Sequence, residues 1–144
     1  MPSYLKNINL MDITTLEDTI LTNHNYITTN FASGEIFAII KEDEPPLISS
    51  IFPAFNGTYY ANDINYISFN VKDNFSGIDG EDDIKLKLHS DGITQNLIFE
   101  YNSYQKKVFY PFRMLLSKGK HTLFIEARDR VGNQTNISGD YYIK

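Results

Sequence analysis

The chain has 144 residues, a formal net charge of -5 and no cysteine. Its length suits one domain of about 100 residues plus an additional segment, and its scattered lysines and arginines form no basic surface for nucleic acid. The lack of cysteine excludes disulfide frameworks and thiolate metal centres, and no apolar run approaches the about 20 residues that a membrane helix needs.

The first 44 residues differ in organisation from the rest. Two strands are predicted, over residues 24–31 and 34–43, and the second is apolar on both faces. A strand of that kind needs neighbours on both sides. We therefore interpret residues 1–44 as the C-terminal strands of a preceding β-domain or as an N-terminal β extension.

The stretch KEDEPP marks the boundary, because its paired prolines cannot donate to a strand ladder. Beyond it, in residues 45–144, the apolar side chains recur with a period of two, which is typical of strands with one buried face. The residues predicted to face inward are Ile67, Phe69, Val71, Ile84, Leu86, Leu88, Leu123, Ile125 and Ala127. About seven strands are predicted, and two one-sided sheets must cover each other, so the fold class is an all-β antiparallel sandwich.

Two of these strands end in an aspartate followed by turn-forming residues, in KDNFSGID and ARDRVGN. Aspartate, asparagine and serine side chains commonly bond back to the backbone in such places. We therefore predict two structural turns, formed by Asp73, Ser76, Gly77, Asp129, Gly132 and Asn133.

The run IDGEDD gathers hard oxygen ligands of the kind that Ca²⁺ prefers, namely Asp79, Glu81, Asp82 and Asp83. Its spacing does not match the twelve-residue calcium loop, so a solvated acidic loop is the alternative interpretation. Asp73 and Asp129 could join this group if their turns met at one end of the sandwich. Apart from Ca²⁺, the sequence predicts no cofactor.

Histidines at positions 24, 89 and 121 are far apart and lack a paired metal-binding spacing. We expect each of them at the surface or at a strand end. No G-x-S-x-G motif is present, and no other catalytic motif stands out. We therefore expect a chain that is not itself an enzyme, although the parent protein could be one.

Tyrosines are more numerous than one buried face could hold. Exposed tyrosines can stack on sugars or anchor a protein partner, and the candidates for ligand binding are Tyr59, Tyr60, Tyr104 and Tyr110. The alternative interpretation is that these rings form cross-strand pairs that stabilise the sheets.

Residues 45–144 resemble the bacterial immunoglobulin-like modules of secreted and cell-surface proteins, which are similar in topology to fibronectin type III domains. The resemblance lies in EPPLISSIFPAFNGTYY, ISFNVKDNFSGID and LLSKGKHTLFIEARDRVGN. It implies an immunoglobulin-like sandwich and an extracellular or cell-surface location. Because the chain starts without a signal peptide, we expect it to be part of a longer exported polypeptide.

These observations predict a non-catalytic structural or adhesive module that acts as a spacer or interaction domain. The alternatives are a carbohydrate-binding module that uses the exposed tyrosines, or the accessory C-terminal domain of a secreted hydrolase or peptidase. The expected partners are neighbouring domains of the same polypeptide, and a polysaccharide or another surface protein. Nucleic acid and membrane insertion are not expected.

Overall fold

The computed structural model describes residues 26–27 and 40–144. Two short strands, β1 (Tyr26–Ile27) and β2 (Ile40–Lys41), pair antiparallel. Nine strands follow: β3 (Leu47–Phe52), β4 (Thr58–Tyr59), β5 (Tyr66–Lys72), β6 (Ile84–Ser90), β7 (Ile93–Asn96), β8 (Glu100–Asn102), β9 (Lys107–Pro111), β10 (Gly119–Arg128) and β11 (Gln134–Ile143).

These nine strands form two sheets. The five-stranded sheet has the order β4-β11-β10-β6-β7, and the four-stranded sheet has the order β3-β5-β9-β8. Neighbouring strands run antiparallel except for β4, which is parallel to β11. The predicted all-β sandwich is confirmed. The strand number exceeds the expected seven because β4 and β8, with two and three residues, are too short to show a period-two pattern.

A single apolar core fills the space between the sheets. The nine residues predicted to face inward are all buried, and the lysines that alternate with them in β6 are exposed. Strand side chains point alternately to the two faces of a sheet, so a period-two pattern is enough to tell which side chains of a strand face the core. The predicted inward faces of β5, β6 and β10 are therefore confirmed.

The connection into the sandwich runs through the paired prolines. Pro46 is fully buried, and its carbonyl oxygen accepts a hydrogen bond from the Thr135 hydroxyl of β11. Most of the two strands predicted before residue 44 lies outside the described residues, and the division of the chain at residue 45 stays a prediction. Within the described residues, no helix is long and apolar enough to cross a membrane.

Candidate metal centre

Three carboxylate side chains converge at one end of the sandwich. Asp73 directly follows β5 of the four-stranded sheet, and Asp129 directly follows β10 of the five-stranded sheet. Glu42 directly follows β2, ahead of the proline pair. One carboxylate oxygen from each residue lies within 4.8 Å of the other two. Carboxylates from both sheets and from the connecting segment therefore meet at one point.

Asp73 is held by its own turn. Its Oδ2 accepts hydrogen bonds from the backbone N–H groups of Phe75 at 3.0 Å and Gly77 at 2.6 Å. Gly77 has a φ of 85°, a conformation that side chains disfavour. Both amides use the same oxygen, so Oδ1 of Asp73 takes no part in the turn.

Asp129 is buried and more tightly held. Its Oδ1 accepts hydrogen bonds from the backbone N–H groups of Val131 at 3.0 Å and Asn133 at 2.8 Å, and its Oδ2 accepts one from the Asn133 side-chain amide at 2.8 Å. The backbone N–H of Arg130 donates to the carbonyl oxygen of Gly77 at 3.1 Å. The two aspartate turns are therefore bonded to each other.

Glu42 reaches both turns from the connecting segment. Its Oε1 accepts a hydrogen bond from the backbone N–H of Ser76 at 3.3 Å, and its carbonyl oxygen accepts one from the Asn133 side chain at 3.2 Å. The residue is 5 % exposed. Its Oε2 is buried and has no hydrogen-bond partner among the described residues.

The group concentrates negative charge where little water reaches it. Burial raises the pKa of Glu42 above its ordinary value of 4.5, and the charges of Asp73 and Asp129 act in the same direction, while hydrogen bonding by a neighbouring serine opposes them. In the described part of the chain, no lysine or arginine forms an ion pair with these carboxylates. Of the four basic residues next to them in sequence, Lys41 and Arg130 pair with other acids, and Lys72 and Arg128 are exposed. A divalent cation would offset this charge.

The residues of the acidic run have other contacts. Asp79 forms an ion pair with Arg130, Glu81 accepts a hydrogen bond from a backbone amide of β8 at 3.1 Å, and Asp83 accepts one from the Asp79 amide at 2.9 Å. Asp82 is exposed. The carboxylates that converge in residues 40–144 are different ones. A calcium site made by the four residues of the acidic run stays a prediction.

The four candidate tyrosines lie on different elements. The Tyr59 hydroxyl in β4 accepts a hydrogen bond from a backbone amide at 3.0 Å. The Tyr60 ring lies below the ammonium group of Lys144, 4.5 Å from the ring centre. Tyr104 projects from the β8–β9 turn and is 95 % exposed, whereas Tyr110 in β9 packs edge-on against a phenylalanine. Ligand binding by these tyrosines stays a prediction.

Sequence reasoning missed Glu42 as a candidate ligand. The residue stands in a charged stretch before two prolines, which is also the composition of an ordinary linker. The possibility that Asp73 and Asp129 meet was recognised, but with the acidic run as their partner. No local pattern could reveal Glu42, because its position depends on the path of the connecting segment across the end of the sandwich.

No protein-family model matches the sequence, and no curated protein matches it. Solved structures share the fold. The structure is similar to CopC from Methylosinus trichosporium OB3b over 69% of this chain and 93% of that one, with a TM-score of 0.54 and 7% identity. Two structures of PcoC, a copper resistance protein from Escherichia coli, have TM-scores of 0.49 and 0.48 at 15% and 17% identity. They cover 68% and 69% of this chain and 99% and 98% of their own.

These comparisons confirm an immunoglobulin-like β-sandwich but not a fibronectin type III-like module. The prediction of a structural or adhesive cell-surface module without a cofactor is wrong. The solved structures with this fold include CopC and the copper resistance protein PcoC, and the chain brings together three carboxylates suited to a cation. The sugar-binding and hydrolase-accessory alternatives fit these findings no better.

The three ligand atoms that converge among the described residues include no imidazole nitrogen. Copper prefers imidazole, thioether and thiolate ligands. The His89 Nδ1 hydrogen-bonds the Thr94 hydroxyl at 2.8 Å, and the His121 Nε2 hydrogen-bonds the Ser117 carbonyl oxygen at 2.8 Å. Met114 is 83 % exposed. His121 is also buried inside β10, so the expectation of a surface or strand-end position is wrong for this residue.

Proposed function

We propose that this chain is a cation-binding β-sandwich that holds Ca²⁺ between Glu42, Asp73 and Asp129. The observation that carries the proposal is that Glu42 is buried beside two other carboxylates and that its Oε2 atom has no hydrogen-bond partner in the described residues. A buried carboxylate oxygen costs free energy unless something binds it. A cation supplies the missing partner and also offsets the repulsion within the group.

The number and kind of the ligands favour Ca²⁺ among hard cations, and the spacing of the oxygens is compatible with it. At a Ca–O distance of about 2.5 Å, two oxygens on opposite sides of one ion are about 5 Å apart. Separations of up to 4.8 Å therefore fit Ca²⁺. Mg²⁺ keeps several waters and is usually held by one or two carboxylates, so a group of three protein carboxylates suits it less well. Ca²⁺ also accepts irregular geometry, and water or carbonyl oxygens can complete its shell.

Three carboxylates suggest a site of modest affinity. Extracellular calcium modules bind with a Kd of about 10⁻⁴–10⁻³ M, and a site of this strength is filled where Ca²⁺ is abundant. We therefore propose an extracellular setting and a binding role rather than a catalytic one.

A thermal and denaturant melt in Ca²⁺ and in chelator tests the proposal. With Ca²⁺ at about 10 mM and a Kd in that range, ligand binding to the folded state should add about 1.4–2.7 kcal/mol to the free energy of unfolding. Glu42→Gln keeps the shape of the side chain but removes its charge, so it should lose most of this gain. Asp82→Asn, an exposed acid of the nearby run, is the matched control and should keep it.

Three results would contradict the proposal. Ca²⁺ could leave the wild-type midpoint unchanged, or Asp82→Asn could lose the calcium response while Glu42→Gln keeps it. Cu²⁺ could stabilise the wild type and Glu42→Gln equally while Ca²⁺ stabilises neither. The second result would move the calcium site to the acidic run, and the third would move metal binding to other residues.

A further inference from the structure

We infer that the bound cation fastens the segment that precedes β3 to the end of the sandwich, so that Ca²⁺ controls how firmly the β1–β2 pair is attached. This inference rests on the proposed function. It follows from the origin of the three carboxylates, because Asp73 and Asp129 belong to the sandwich while Glu42 belongs to the segment before it.

Glu42 contacts the sandwich through few direct bonds. The Ser76 amide donates to its side chain, and the Asn133 side chain donates to its carbonyl oxygen, at 3.3 Å and 3.2 Å. The next buried residue along the chain is Pro46, and residues 43–45 are exposed. Glu42 is therefore one of the residues that attach the segment ahead of Pro46 to the sandwich.

The charge at the site decides how strong this attachment is. Without a cation, the ionised Glu42 carboxylate must lie beside those of Asp73 and Asp129, and like charges at this spacing repel. When a cation is bound, the Glu42 carboxylate must dissociate from it before the segment can detach from the sandwich. Since Glu42 directly follows Lys41, the last residue of β2, its attachment also limits the orientations open to the β1–β2 pair.

Amide hydrogen exchange on the full chain tests this inference. The Ser76 amide, which is bonded to Glu42, should exchange about 10- to 100-fold more slowly in about 10 mM Ca²⁺ than in chelator, because the opening that exposes it must also break the site. The Gln105 amide is bonded to Asn102 in the β8–β9 turn and serves as the control, with a much smaller change. Glu42→Gln, checked for folding by circular dichroism, should lose the slowing at Ser76.

The melts and the exchange rates together separate the two proposals. Calcium-dependent stabilisation with slower Ser76 exchange supports both. Stabilisation with the same Ser76 exchange in Ca²⁺ and chelator would overturn the fastening role and leave the calcium site in place. The absence of any calcium effect on the melt would overturn both.

Discussion

Two of the buried polar atoms that have no hydrogen-bond partner among the described residues lie in different settings. The Oε2 of Glu42 belongs to a carboxylate that lies beside two others, where a cation can bind. The Tyr141 hydroxyl lies in the apolar core, and its ring stacks on that of His121 with centroids 5.3 Å apart. The first setting points to a ligand, whereas the second points to a simple cost in stability.

Tyr141→Phe should therefore stabilise the protein. Removing a buried hydroxyl that has no partner in residues 40–144 should raise the free energy of unfolding at neutral pH by about 1 kcal/mol. Urea denaturation measures the change. Tyr142→Phe is the control, since the neighbouring side chain is largely exposed and its loss should have little effect. A clear loss of stability in Tyr141→Phe would show that the hydroxyl is bonded.

The same variant has a predicted pH dependence. Burial raises the pKa of Tyr141 above its ordinary value of 10.0, so the folded state holds this proton more tightly than the unfolded state. The resulting contribution to stability is fully present below pH 10.0 and is lost as the pH rises through the raised pKa. Tyr141→Phe should lose less stability than the wild type above this pH. Equal losses in the two proteins would contradict the assigned burial effect.

At the scale of the elements, β5 and β10 end in the same way. Each is followed at once by an aspartate that accepts backbone amides, and each turn contains a glycine with positive φ, 85° at Gly77 and 98° at Gly132. In each turn the aspartate accepts hydrogen bonds from backbone amides that no longer pair with a neighbouring strand. Strand and turn can therefore be predicted from a few adjacent residues.

The strand register makes a further prediction. Phe69 is fully buried in β5, so Phe69→Ala should lower the free energy of unfolding by about 3–5 kcal/mol through lost apolar contact and a new cavity. Asp82→Ala, at an exposed position, should be near neutral. Denaturant melts of both variants check this. Small and equal effects at the two positions would contradict the register.

In the molecule as a whole, the carboxylate group lies where the two sheets come together. Asp73 follows a strand of the four-stranded sheet, and Asp129 follows a strand of the five-stranded sheet. The apolar core holds the sheets together along their length. A cation at this end would add a second connection that depends on solution conditions.

A double-mutant cycle measures this connection. In Ca²⁺, Asp73→Asn and Asp129→Asn together should cost less than the sum of the single losses, by about 0.5–3 kcal/mol, because the first substitution already removes much of the cation's contribution. In chelator the interaction energy between the two substitutions should shrink or change sign, because the two carboxylates then interact directly only by repulsion. The same interaction energy in both solutions would rule out a shared cation.

Sequence patterns alone predict the sandwich, the inward faces of β5, β6 and β10, and the aspartates at the ends of two strands. These features depend on period-two alternation and on bonds between near neighbours, which short stretches of sequence encode. The short strands β4 and β8 escaped prediction because they hold too few residues for a pattern.

Which carboxylates meet depends on how the strands and the connecting segment assemble. Glu42 and Asp129 are separated by 87 positions (129 minus 42), and no periodicity relates residues so far apart. Their contact depends on the two sheets packing face to face and on the connecting segment crossing the end of the sandwich. In the same structure Asp79 pairs with Arg130, and the convergent group contains no residue of the acidic run. Local chemistry therefore defined the elements, and their assembly defined the candidate site.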